Sequence, residues 1–196
     1  LCLFKVNFLH FYTTIIFNSY NVYTFIVFAY VYRQRTVIAG RMRIKTYLED
    51  CELVESDGEK TMLTYLEGPD GVFAVCVMND NSKTFNYIHK DNLGSWNVVT
   101  GENGELLQEL SFDAWGNVRN SSDWSFASVE NKMLYDRGFT GHEHLSDFGL
   151  INMNGRVYDP LMSMMLSPDN NIQMPQISQN FNRYNYCMNN PLRYTD

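Results

Sequence analysis

His142-Glu143-His144 is the densest group of potential metal ligands in the chain. On a strand the two histidines would project from one face, because side chains alternate. Asp136 and Asp147 lie near enough in sequence to join them. Spacing fixes no third ligand, however, and zinc sites are normally announced by fuller Cys/His sets. Neither a metal nor a cofactor is expected. Cys2, Cys51, Cys76 and Cys187 are far apart and form no Cys-x-x-Cys pair; buried thiols are the expectation. No motif sets Cys187 beside one of the four histidines, so a Cys-His hydrolase is not supported. A Gly-x-Ser-x-Gly elbow, a Walker loop and a dinucleotide fingerprint are all missing from the sequence. Asp169, in Ser167-Pro168-Asp169, and Asp196, the last residue, read by themselves as turn caps.

The elements that hold these residues are short strands. Aromatics make up 15% of the 196 residues, with 13 Tyr and 13 Phe, a composition that suits a pleated, half-buried surface. Residues 41–48 alternate polar and larger side chains with the period of a half-exposed strand. Residues 72–78 form a continuous apolar run between the turn clusters Gly68-Pro69-Asp70-Gly71 and Asn79-Asp80-Asn81, which predicts a buried strand. Strands are predicted again over 85–89, 96–100 and 105–112. Asp91-Asn92-Leu93-Gly94-Ser95, Gly101-Glu102-Asn103-Gly104 and Asp113-Ala114-Trp115-Gly116-Asn117 supply the turns. Asn103-Gly104 is a hairpin signal, since both residues tolerate positive φ. The fold class is therefore mainly β, an antiparallel meander of short strands and tight turns.

Several words recur in order along the C-terminal part. They are Phe139-Thr140-Gly141-His142-Glu143-His144, Phe148-Gly149-Leu150, Arg156-Val157-Tyr158-Asp159-Pro160 and Leu166-Ser167-Pro168-Asp169. Asn182-Arg183-Tyr184, Asn189-Asn190-Pro191 and Tyr194-Thr195-Asp196 follow. This series closely resembles the RHS repeat-associated core, the end of the β-shell in bacterial YD-repeat toxins and related large surface or secreted proteins. Residues 104–117, with Phe112-Asp113, and 149–160, with Tyr158-Asp159, resemble single YD repeats. Their logic is physical: an aromatic closes the strand, Asp caps the turn, and Gly supplies left-handed backbone. The resemblance covers 86–196 well and 40–85 loosely. It implies a YD-like region over 37–135 and a core, truncated at its C-terminus, over 136–196.

By the same resemblance, the chain is a structural end-piece of a secreted or cell-surface toxin-delivery protein. Its partners would be the rest of its own shell and an enclosed C-terminal toxin. Some family members release that toxin with two aspartates, each in an Asp-Pro-x-Gly box, and the matching positions here are Asp169 and Asp196. Two carboxylates sharing a proton can activate water. Asp169 is followed by Asn170-Asn171 instead of Pro-x-Gly, and residues 172–180 are an insert. An aspartyl autoprotease is therefore one alternative reading, and a membrane-anchored surface module held by residues 11–32 is another. Ser163-Met164-Met165 stands where the family usually has Gly-Arg-Phe, which implies a weakened turn and core.

Charge limits the partners. Residues 1–48 hold six bases and no acid, whereas the remainder sets nine bases against all 22 acids. The acidic remainder offers no clustered basic face for nucleic acid. Residues 11–32 are uncharged and aromatic, and about 20 apolar residues can span a membrane. Thr13, Thr14, Asn18, Ser19, Asn21 and Thr24 interrupt them. Residues 1–36 thus stay open between a membrane segment, a spurious upstream extension and a genuine β segment. Periodicity alone does not separate buried strand from helix there.

Overall fold

The computed structural model describes residues 2–8, 11–17, 26–28, 31–38, 41–48, 51–126, 133–172 and 174–194. Contacts divide the chain into two compact units. One comprises Leu1–Tyr87 with Gly101–Asn103, the other Ile88–Thr100 with Gly104–Asp196.

In the first unit, β1 (Cys2–Phe8) pairs antiparallel with β2 (Phe11–Phe17). A meander follows: β3 (Ile26–Phe28), β4 (Val31–Ile38), β5 (Arg41–Tyr47), β6 (Cys51–Ser56), β7 (Glu59–Gly68), β8 (Gly71–Met78) and β9 (Lys83–Lys90), whose last residues belong to the second unit. From β3 to β9 each strand pairs antiparallel with the next. The N-terminal segment, left open between strand and helix by its periodicity, is strand wherever it is described. Among the described residues no helix is long and apolar enough to cross a membrane.

Turn chemistry sets the registers. Asp57 and Gly58 take φ of +52° and +88° between the paired Ser56 and Glu59, the left-handed pair that a two-residue hairpin favours. Ala74, Val75 and Cys76 are buried in succession, so both faces of β8 are covered. Across β5 and β6 a buried ion pair joins Lys45 Nζ to Glu52 Oε2 at 2.7 Å. Tyr47, on the same face as Lys45, donates its hydroxyl to Gln34 Oε1 at 2.6 Å. Desolvating two charges is costly, and close pairing offsets that cost.

The second unit adds β10 (Trp96–Thr100), β11 (Leu106–Glu109), β12 (Ser111–Phe112) and β13 (Val118–Arg119). Further along the chain come β14 (Glu143–Leu145), β15 (Leu150–Asn152), β16 (Val157–Asp159) and β17 (Met164–Met165), an antiparallel four-stranded sheet in sequence order. Irregular chain caps both its edges. Asp136 O accepts the His144 N–H beside β14, and Tyr184 O accepts the Met165 N–H at 2.8 Å beside β17. The single strand expected over 105–112 is two, broken at Leu110. That residue is buried and donates its N–H to Asn97 O at 2.6 Å. The break swings Phe112 into a core shared with Phe139, Ile151, Met153, Tyr158, Met165 and Tyr186.

Candidate functional site

Two corners of the second unit have one design. Asp91 Oδ1 accepts the N–H groups of Leu93 and Ser95, each at 2.9 Å. The backbone closes the loop through Asp91 N–H to Ser95 O and Gly94 N–H to Asp91 O, both 3.1 Å. Asp113 repeats the pattern: its Oδ1 accepts from Trp115 at 2.8 Å and Asn117 at 2.9 Å. The matching backbone bonds are Asp113 N–H to Asn117 O, 3.0 Å, and Gly116 N–H to Asp113 O, 3.1 Å. Gly94 and Gly116 sit at φ of +84° and +86°, a region that costs any residue with a Cβ. The Asp-x-x-Gly spacing common to both is a signal that the sequence reading passed over.

The second corner is docked onto the Tyr158-Asp159-Pro160 word. Asn117 Nδ2 donates to Asp113 Oδ2 at 2.9 Å and to Pro160 O at 3.1 Å. The Tyr158 hydroxyl donates to Trp115 O at 2.9 Å. Burial pushes the Tyr158 and Tyr186 phenols well above their ordinary range, so both keep their protons. Their rings lie 4.6 Å apart, and the aromatic series continues from Tyr186 to Phe139 to Phe112 to His144. The two YD-like words, distant in sequence, therefore share one core.

His142 and His144 do not converge. His144 turns into the core, where its Nε2 accepts the Phe139 N–H at 2.9 Å. That bond places the imidazole proton on Nδ1. Burial lowers its pKa from 6.5 to about 4, against the opposing charge of Asp136. His142 Nδ1 lies 2.7 Å from Thr140 Oγ1. Among the described residues no three His, Cys, Asp or Glu side chains are gathered to hold a metal.

Asp169 lies in a turn. Its Oδ1 accepts the Asn171 N–H at 2.8 Å, and its Oδ2 is 3.4 Å from Arg156 Nη2. Its backbone N–H donates to Arg183 O at 2.7 Å, and its carbonyl accepts from Arg183 Nε. Asp196 lies outside the described residues. Where Gly-Arg-Phe was missed, Ser163 takes φ +57° and Met165 is 2% exposed. The turn therefore keeps its left-handed backbone without glycine, and Met165 fills the core position.

Aspartate-capped, glycine-turned corners docked under a Tyr-Asp-Pro word, carried on an antiparallel meander, define a YD-repeat shell domain. The chain belongs to the Teneurin YD-shell family, whose model matches residues 55–192. It is 27% identical over 145 residues to the tRNA3(Ser)-specific nuclease WapA of Bacillus spizizenii, covering 74% of this chain and 6% of that protein. Among solved structures it is similar to the TcdB2-TccC3-Cdc42 crystal structure, with a TM-score of 0.62, 17% identity and coverage of 85% of this chain and 8% of that one. The Photorhabdus luminescens Tc holotoxin pore gives a TM-score of 0.62 at 16% identity, with the same coverages. At these identities the structures show a shared fold. The chain spans less than a tenth of the length of each of these relatives.

Proposed function

We propose that this chain is a structural end-piece of a YD-repeat β-shell in a secreted or cell-surface toxin-delivery protein. Its partners are the remaining strands of that shell and a toxin segment enclosed by it. The observation that carries this reading is the docking of the Asp113 corner on the Tyr158-Asp159-Pro160 word through Asn117 and Tyr158. Those residues are spent on holding strands together. Asp169 is likewise spent on a turn bond and on Arg156. A carboxylate whose oxygens cap a turn and face a guanidinium is committed to local contacts, which supports a structural role for it.

The test is to join a downstream segment beginning Pro-x-Gly to the chain and read the intact mass. The structural reading predicts a single uncut product. A cut product that disappears in Asp169→Asn would overturn it in favour of aspartyl autoproteolysis by Asp169 and Asp196.

A further inference from the structure

Gln34, Lys45, Tyr47 and Glu52 gather on one face of three neighbouring strands, β4, β5 and β6. Gln34 is the Cα partner of Lys45, and Tyr47 is the partner of Glu52. Lys45 and Tyr47 are two residues apart on β5, so alternation sends both to the same face. The cluster is deep: Glu52 is 2% exposed, Lys45 3% and Gln34 8%. Polar side chains are costly to bury in a sheet face, and hydrophobic residues of similar size would often hold the strands equally well.

The contacts have the order of an acyl-transfer site. Glu52 Oε2 lies 2.7 Å from Lys45 Nζ, within reach of its proton. Nζ lies over the Tyr47 ring, 5.1 Å from its centroid. The hydroxyl of that ring donates to Gln34 Oε1 at 2.6 Å. A hydroxyl on a carboxamide oxygen makes the carbon more electrophilic and meets the negative charge that grows on the oxygen under attack. An amine that has given up its proton is a nucleophile. Directly opposed residues of an antiparallel pair hold their Cβ atoms about 4.5–5.5 Å apart, so Lys45 is presented to the Gln34 carboxamide without a search. Burial keeps water, the competing nucleophile, away from that carbon. An ordinary buried ion pair needs neither a glutamine opposite nor a phenol on its oxygen.

We propose that Lys45 and Gln34 join in an autocatalytic isopeptide bond, Nζ to Cδ, which ties β4 to β5. Glu52 takes a proton from the Lys45 ammonium, and the freed lone pair attacks Gln34 Cδ. The Nζ–Cδ bond forms while Tyr47 holds the oxyanion. Glu52 passes its proton to the departing nitrogen and takes a second one from Nζ. The Cδ–Nε2 bond then breaks and ammonia leaves. An ammonium, a carboxylate and a carboxamide become a secondary amide, a carboxylic acid and ammonia. Two buried charges are thus exchanged for neutral groups, which removes their desolvation cost. The inference does not rest on the shell reading.

The experiment follows the full chain from denaturant into refolding buffer by intact mass and by a tryptic peptide map. Both are read after denaturation, so association of the chain does not obscure them. Loss of one ammonia is expected on refolding, with Gln34 and Lys45 in one branched peptide and no cleavage after Lys45. The chain kept in denaturant should retain its full mass. Glu52→Gln should slow the loss at least about a hundredfold, and Tyr47→Phe at least about tenfold. Lys45→Arg, which keeps the charge, should abolish it. A refolded chain of unaltered mass, cut after Lys45, overturns the proposal and leaves a plain ion pair. Loss of a water, joining Lys45 to Glu52, overturns it as well. So does loss of ammonia mapped to Asn103-Gly104, or cross-linking of Glu52→Gln at the unaltered rate.

Discussion

Gly94 and Gly116 occupy equivalent positions in two equivalent corners, and only their surroundings separate them. A Cβ built on Gly94 meets nothing within 4 Å, whereas one on Gly116 would lie 2.7 Å from the Phe139 ring. Gly94→Ala therefore carries only the left-handed backbone penalty, about 1 kcal/mol. Gly116→Ala adds a clash with a fully buried ring and is expected to cost about 2–4 kcal/mol. Urea midpoints read by pulse proteolysis would show the difference; equal losses would mean that the Phe139 contact is not tight. Ser163 presents the reverse case. It holds φ +57° with a Cβ in place, so Ser163→Gly is expected to stabilise by about 0.5–1 kcal/mol, and a lowered midpoint would contradict the strain argument. Aspartate and glycine at these turns were legible in the sequence because each has a specific backbone use. The left-handed run at Cys187, Met188 and Asn189, with φ of +46°, +51° and +60°, was not. Cysteine and methionine carry no propensity that announces it.

Strands were readable where alternation or flanking turns were strong. Residues 41–48, 72–78, 85–89 and 96–100 all fall on strands, within a residue or two of their bounds. The Asp57-Gly58 hairpin was missed although its dipeptide is a standard turn signal. Leu110, which breaks the expected strand over 105–112, gives no local warning: its burial comes from distant core partners. The β14 histidines show the same limit. Alternation predicts a shared face, but His142 precedes the strand and His144 is claimed by Phe139. The burial of His144 makes the second unit sensitive to acid. The His144 pKa is lowered in the folded state, to about 4 from 6.5, so its contribution is complete above pH 6.5 and is lost as pH falls towards 4. Between pH 7 and pH 4.5 the loss is expected to be about 2–3 kcal/mol. His144→Gln should flatten that part of the pH profile. An unchanged profile in the variant would assign the acid sensitivity to other groups.

For the chain as a unit of assembly, the ordered series of words between Phe139 and Tyr194 was the strongest sequence signal, and the family match over 55–192 agrees with it. The apolar residues 11–32 were the weakest, because aromatic and β-branched residues without punctuation suit a strand and a buried helix equally. Large apolar side chains remain uncovered in the second unit: Trp124, Phe126, Leu161, Phe181 and Leu192 are each more than half exposed. Terminal units of a repeat array bury such surface only against their neighbours, and open edges invite association. The most direct measurement compares sedimentation and urea unfolding of the chain alone and of the chain joined behind preceding YD repeats. A shell end-piece should associate and unfold over a broad range when alone, and become monodisperse with one steep transition when joined. A monodisperse chain that unfolds cooperatively by itself, unchanged by added repeats, would contradict the assignment.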